Sequence, residues 1–313
     1  MSISEHEQAL EARVGHVHLA LRRAIESEHG ADVFRVGANV FHLENWYSSH
    51  KLIRLLLKCL GLYQRGVRNS LNIQTRYNLV KLPNLPDSFE GYRLLQLSDL
   101  HLDMHPDYPD ALAESITGLD YDLCLITGDF RARTSGNYQP TLEAMAHVRP
   151  SIKTPVYAIL GNHDSIDMVP GLEALDIQLL INQSTAIAKQ GSTLWLAGID
   201  DPHYFRLENF EKAAATIPPD GASILLSHSP EPYQRAAQLR FDLMLSGHTH
   251  GGQICLPGGM PLITNANAPR NYCAGAWQHG AMQGYTSVGS GSSIVDVRFN
   301  CPPEVTIHTL SKR

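Results

Sequence analysis

Short apolar runs that end in polar, ligand-type side chains recur five times along the chain. Residues 94–98 lead into Asp99-Leu100-His101, residues 123–127 into Gly128-Asp129, and residues 156–160 into Gly161-Asn162-His163-Asp164. Residues 223–227 lead into His228, and residues 241–246 into Gly247-His248-Thr249-His250. Runs this short, rich in strand formers and closed by glycine or a polar residue, predict buried strands. Open α/β sheets take ligands at strand carboxyl ends, so five polar tips are expected along one edge. Helical stretches are expected at residues 109–118, 140–147, 168–175, 206–215 and 231–239, and their alternation with strands predicts an α/β core. Residues 186–189, 194–199, 295–297 and 305–307 also read as strands but lack a helix between every pair. Part of the sheet is therefore expected to be antiparallel, giving a mixed pair of sheets.

The first 82 residues follow another pattern. Ser4 and Glu7 form a capping-box pair, and Leu10, Val14, Val17, Leu21 and Ile25 recur at helical spacing up to Gly30. One amphipathic docking helix is expected, with His6, His16, His18 and His29 solvated or packed. Between Glu44 and Asp87 there is no acidic residue, whereas Lys51, Arg54, Lys58, Arg65, Arg68, Arg76 and Lys81 are basic. At about 100° per residue, Lys51, Arg54, Lys58 and Arg65 share one arc and seven leucine or isoleucine side chains fill the remainder. With Trp46, Tyr47 and Tyr63 beside it, residues 46–68 suit a helix lying on an anionic membrane surface. The other reading is a helix packed on the domain with its charged heads in water. Residues 71–82 read as a half-buried strand that Pro83 and Pro86 terminate. The expected division is an N-terminal helical extension, 1–82, and a catalytic domain, 83–313.

A chain of 313 residues that is 43% hydrophobic can bury a full core. Its formal charge of -6 argues against a nucleic-acid partner. Cys59, Cys124, Cys255, Cys273 and Cys301 are odd in number and widely spaced, which indicates neither a disulfide framework nor a zinc knuckle. The N-terminus lacks a signal-peptide profile and no run reaches the roughly 18 apolar residues of a spanning helix, so a cytoplasmic setting is expected.

A phosphate ester resists attack because its oxygens are already negative; two metal ions offset that charge and supply a nucleophile at neutral pH. Asp99, His101, Asp129, Asn162, His228, His248 and His250 are the donors available for two divalent metal ions. Mixed carboxylate, amide and imidazole ligands accept manganese, iron or zinc, with manganese the preferred expectation.

Taken in order, these five motifs resemble the calcineurin-like metallophosphoesterases over residues 90–310. The resemblance implies two mixed sheets sandwiched between helices, with the metals at one edge. It implies that Asp99, His101 and His250 hold one metal, that Asn162, His228 and His248 hold the other, and that Asp129 bridges them. The nucleophile would be the hydroxide the metals share, His163 would protonate the leaving oxygen, and Asp164 would orient the imidazole. Many members continue the second motif as G-D-x-x-D, or as G-D-x-x-Y in purple acid phosphatases. Ala132 stands at that last place here, so a purple ferric site is not expected. Arg131 and Arg133 are expected to reach a second phosphate, and His203, Tyr204 and His279 to contact substrate by their loop positions.

Longer strings, Gly247 to Gln253, Gly198 to Pro202 and Cys301 to Glu304, resemble a bacterial branch that includes membrane-associated phosphodiesterases and UDP-diacylglucosamine pyrophosphatases. A lipid-linked phosphate ester is the substrate this implies, handled by a peripheral protein on the inner membrane face. A soluble nucleotide or phosphoprotein is the alternative. A non-catalytic scaffold, the third reading, is opposed by the complete donor set. Oligomeric state is not legible in the sequence.

Overall fold

The computed structural model describes residues 3–28, 47–153, 155–261 and 263–312. The strands, in chain order, are β1 (Gln74–Leu82), β2 (Arg93–Leu97), β3 (Leu123–Ile126), β4 (Val156–Ala158), β5 (Gln178–Leu179), β6 (Gln183–Lys189), β7 (Ser192–Gly198), β8 (Ser223–Leu226), β9 (Leu243–Ser246), β10 (Cys255–Leu256), β11 (Met260–Pro261), β12 (Gly275–His279), β13 (Met282–Thr286) and β14 (Glu304–Lys312). Two six-stranded mixed sheets result, ordered β1-β14-β2-β3-β4-β5 and β12-β13-β9-β8-β7-β6. Strands β2 to β5 run parallel, as do β7, β8 and β9, while β14 and the hairpins β6-β7 and β12-β13 supply the antiparallel pairs.

The sheets pack face to face because strand side chains alternate. Leu94, Leu123 and Leu125 of the first sheet meet Leu196, Ile224, Leu226 and Leu245 of the second. On the outer face of the first sheet, Leu95, Leu97 and Ile126 meet α1 (Ile3–Val14), α5 (Tyr108–Ile116), α6 (Gln139–Val148) and α7 (Val169–Glu173). On the outer face of the second, Leu225 and Met244 meet α8 (Phe210–Ala214) and α9 (Tyr233–Gln238). The four layers are the expected α/β sandwich between helices.

The N-terminal region departs from its reading in three ways. The single helix expected from Ser4 to Gly30 is two, α1 and α2 (His16–Glu28), parted at Gly15, whose φ of 97° a side chain would resist. Gly30, His29 and Trp46 lie outside the described residues. The basic segment is likewise two helices, α3 (Tyr47–Cys59) and α4 (Tyr63–Leu71), turning at Gly61 (φ 67°), so Arg65 leaves the arc of Lys51, Arg54 and Lys58. The strand β1 pairs in parallel with β14 along its whole length, which makes it a strand of the first sheet although it falls within the extension expected over 1–82. Residues 295–297 form bends rather than a strand, because Val295 and Val297 pack against α3 and α4 instead of a neighbouring strand.

Ile53 and Leu57 of α3 turn inward to Val67, Val295, Val297 and Phe299. Leu52, Leu55 and Leu56 are more than half exposed. No helix among the described residues is long and apolar enough to cross a membrane. All five cysteines are free.

Candidate metal centre

The carboxyl ends of β2, β3 and β4 in one sheet and of β8 and β9 in the other converge on one group of side chains. Asp99 (φ 50°), His101 (42°), Asp129 (59°), His248 (71°) and His250 (49°) all adopt left-handed backbone angles. Each such residue costs on the order of 1–3 kcal/mol, strain of a kind that gathers at functional sites. Two glycines are sterically required here. A Cβ on Gly128 would lie 2.6 Å from the Gly161 amide nitrogen, and one on Gly161 would collide with the Asp129 carboxylate. Those glycines let the β3 and β4 turns touch.

Four imidazoles give one ring nitrogen to a backbone carbonyl. His101 Nδ1 donates to Arg131 O at 2.7 Å, His228 Nδ1 to Thr127 O at 2.8 Å, His163 Nδ1 to Ala132 O at 2.8 Å, and His248 Nε2 to Asn265 O at 2.9 Å. In a neutral ring the other nitrogen is then a lone pair. These lone pairs face acceptors: His228 Nε2 lies 2.9 Å from Asn162 Oδ1 and 3.3 Å from Asp129 Oδ2, and His248 Nδ1 lies 2.9 Å from Asn162 Oδ1. His101 Nε2 lies 3.1 Å from His250 Nε2, which is 3.5 Å from Asp99 Oδ1. Acceptor facing acceptor in a dry site needs a proton or a metal cation between them.

Three sets of donor atoms lie mutually within 4.8 Å: Asp99-His101-His250, His101-Asp129-His163, and Asp129-His228-His248. Asp129 belongs to two of them. Mixed oxygen and nitrogen donors of this kind fit divalent transition metals.

Burial brings His101 down to about 4 and carries His248 and His250 well below the ordinary histidine range, which keeps them in the neutral form a metal requires. Burial also opposes a charge on His228, yet Asp129 and Asp99 outweigh it and raise that group to about 10. Burial would raise Asp129, but His228, His163 and His101 hold it well below the carboxylate range. The raised His228 and the lowered Asp129 both mark a site that favours positive charge.

Behind Asp99 runs a row of donors pointing one way. Asn78 Nδ2 donates to His308 Nδ1 (3.0 Å), His308 Nε2 to Gln96 Oε1 (2.9 Å), Gln96 Nε2 to Thr127 Oγ1 (3.1 Å), Thr127 to Ser98 Oγ (2.7 Å), and Ser98 to Asp99 Oδ2 (2.6 Å). Burial holds His308 near 3, so its ring is neutral and can accept on one side while donating on the other.

Three expectations need correction. Asp164 was expected to orient His163, but its carboxylate accepts instead from the amides of Gly161 (2.9 Å), Asp129 (2.8 Å), Phe130 (2.9 Å) and Arg131 (3.3 Å). It knits the β4 turn to the β3 turn, while the Ala132 carbonyl orients the His163 ring. Arg131 is buried with its guanidinium on the carbonyls of His163, Thr134 and Gly136, so it shapes its loop rather than reaching a phosphate. His279 packs against Tyr233 at 4.8 Å in the aromatic cluster of the second sheet. Arg133 is exposed on the β3 loop. His203 is buried, bonds Glu231 Oε1 at 2.9 Å, and lies 4.2 Å, ring to ring, from His248.

Sequence reasoning missed Arg22, which α2 brings into contact with the carbonyls of Gly161 and Asp164. It also missed a cavity of about 310 Å³ lined by Asp129, Asn162, His163, His248 and His250 together with Ile53, Ile254, Ile263, Ile294 and Val295. Isoleucines from 53 and from 254–294 carry no local pattern that would join them.

The sequence model of the calcineurin-like phosphoesterases matches residues 92–252. The chain is 30% identical over 252 residues to the uncharacterized metallophosphoesterase YkuE of Bacillus subtilis, covering 76% of this chain and 85% of that one. It is also 30% identical to phosphodiesterase YaeI of Escherichia coli over 244 residues, or 72% and 85% of the two chains. A second Bacillus subtilis protein, the uncharacterized metallophosphoesterase YkoQ, is 30% identical over 227 residues, 69% and 83% of each.

Proposed function

The chain belongs to the calcineurin-like phosphoesterase family, metal-dependent hydrolases of phosphate esters, and on that premise we propose that it cleaves a phosphodiester or pyrophosphate bond using two divalent cations. The observation that carries this reading is the set of buried imidazoles that give one nitrogen to a backbone carbonyl and turn the other onto carboxylate and amide oxygens. In this reading Asp99, His101 and His250 would hold one cation and Asn162, His228 and His248 the other, with Asp129, which belongs to two of the donor sets, available to both. When bound, such cations neutralise phosphate oxygens and supply a water acidic enough to attack at neutral pH. Manganese is the proposed ion, with iron and zinc suited to the same donors.

His163 performs the proton transfer in this proposal. With Nδ1 committed to Ala132 O, the proton it can deliver is on Nε2. As the water oxygen bonds to phosphorus and the P–O bond to the leaving group breaks, that proton passes to the departing oxygen, and the proton released by water restores the ring. Asp164 acts indirectly, holding the β3 and β4 turns in register. His203 and Arg133, beside the centre and on its β3 loop, are the proposed substrate contacts.

The cavity supports a substrate bearing an apolar group, such as UDP-diacylglucosamine, since five aliphatic side chains share its walls with the donors. The exposed leucines of α3, next to Lys51 and Lys58, support attachment of residues 46–68 to an anionic membrane surface. Measuring manganese-dependent hydrolysis of bis(p-nitrophenyl) phosphate, p-nitrophenyl phosphate and UDP-diacylglucosamine side by side tests both levels. His163→Ala should keep its metal and lose roughly 10²- to 10⁴-fold in rate. Turnover of the synthetic diester alone would remove the lipid assignment and leave a soluble nucleotide or phosphoprotein as the substrate. No turnover of any of the three would remove the hydrolytic reading.

A further inference from the structure

Helix α2 presents a polar stripe, His18, Arg22 and Glu26, to the interior and leaves Val17 and Leu21 69% and 48% exposed. Arg22 is completely buried. Its guanidinium lies 3.2 Å from the Phe205 ring centroid, and Nη1 donates to Asp200 Oδ1 at 2.9 Å. From Nη2 it donates to the carbonyls of Asp164 at 2.9 Å and Gly161 at 3.4 Å. Those two carbonyls bracket Asn162 and His163. One turn further along, Glu26 accepts from Ser165 Oγ at 2.5 Å and from the Ile166 amide at 2.9 Å.

We infer that Arg22 is a positioning residue for hydrolysis: from α2 it fixes the turn that carries Asn162 and His163, an inference that rests on the phosphohydrolase reading above. A buried ion pair is a poor way to dock a helix, because desolvation offsets most of the attraction and an apolar side chain would serve as well or better. What the planar guanidinium adds is direction, with Nη2 shared between two carbonyls, Nη1 fixed by Asp200 and Nε by Glu26. The Asp164 carboxylate holds the turn from its inner side through the Gly161 amide, and Arg22 holds it from the outer side through the Gly161 and Asp164 carbonyls. The imidazole between them is left little freedom.

The test compares wild type with Arg22→Met/Asp200→Asn, which removes both buried charges together, with Arg22→Lys, and with Glu26→Gln. Two readouts are followed: kcat and KM for bis(p-nitrophenyl) phosphate, and hydrogen exchange at the Asp164 and Ile166 amides. In the double variant, kcat should fall by about 10- to 100-fold, the usual effect of removing a group that orients a ligand. KM should stay close to wild type, and exchange should accelerate at residues 161–166 but not in β3. Arg22→Lys should recover part of kcat. If the double variant does not fold, Glu26→Gln decides, with faster exchange at Ile166 and a several-fold lower kcat expected. Unchanged exchange in the turn would overturn the inference, as would a kcat equal to wild type. If wild type turns over no phosphate ester, the hydrolytic reading fails, and the exchange data still decide whether Arg22 holds the turn.

Discussion

Helix α2 buries an arginine and leaves Val17 and Leu21 in water; helix α3 leaves Leu52, Leu55 and Leu56 in water and turns Ile53 and Leu57 inward. Both are 13-residue helices from the same N-terminal region. Leu19 apart, the interior contacts of α2 are directional hydrogen bonds to chosen carbonyls and carboxylates, so α2 can govern geometry. Apart from the Arg54–Asp296 pair, the inward contacts of α3 are apolar, and its outer leucines would be satisfied by any apolar medium, so α3 can govern location. Amphipathic spacing says that a helix has two faces, but the partner decides which face is covered.

The largest break in this comparison is expected from Asp200→Ala, which removes the fully buried carboxylate from Arg22 and leaves it only the partly buried Glu26. Loss of one partner of a buried pair costs about 3–5 kcal/mol, and urea unfolding would measure it. A loss below about 1 kcal/mol, the range of a surface pair, would mean that α2 is held no more specifically than α3. Next, changing Leu52, Leu55 and Leu56 together to serine should weaken sedimentation with anionic vesicles by at least about 100-fold, given roughly 1.5 kcal/mol or more per buried leucine. Turnover of the small diester should not change. Equal vesicle binding by wild type and triple variant would remove the membrane role of α3.

A smaller effect concerns pH and salt. Burial opposes ionisation of Asp200, but Arg22 and His18 carry its carboxyl below the ordinary range. Its stabilising contribution is therefore complete above the unfolded carboxylate pKa and is lost as pH falls through the depressed folded value. Proteolytic resistance of α2 should thus persist from neutral pH down to the top of the carboxylate range, whereas vesicle attachment through α3 should weaken with added salt at any of these pH values. The smallest effect is expected from Arg54→Ala. Its pair with Asp296 at 2.9 Å is 42% exposed on the arginine side, and Asp296 keeps the Tyr63 hydroxyl at 2.6 Å. A stability change of about 0–1 kcal/mol is expected by urea unfolding.

The strand tips were legible in the sequence because each needs a local signature: an apolar run, then glycine or a polar residue able to take a left-handed turn. Asp99, Asp129 and His248 declare themselves in that way. The α/β layering and the mixed pairing followed from the same runs. Arg22 was hidden because an arginine four residues before a glutamate, Glu26, reads as an exposed helical pair; that pair forms at 3.0 Å with the arginine buried, and the other partners of Arg22 are 139 to 178 positions away. The sequence 295–297 alternates like a strand, yet its valines pack on helices and its aspartate faces Arg54 and Tyr63. The role expected of Asp164 failed for a related reason: adjacency to His163 suggested contact, whereas a carboxylate among four converging amides is better satisfied by them.

The donor row from Asn78 to Asp99 behaves like a line of compass needles. Each hydroxyl, amide and ring can point only as its neighbours allow, so the row has one sense and is set at its outer end by Asn78 on β1. An aspartate at 78 would accept where the asparagine donates and would turn His308 and then Gln96 around. The Gln96 carboxamide would then present its oxygen to the Ser246 carbonyl, to which its nitrogen now donates at 2.9 Å. An outer strand of the sheet thereby takes part in setting how much negative charge Asp99 offers at the other end.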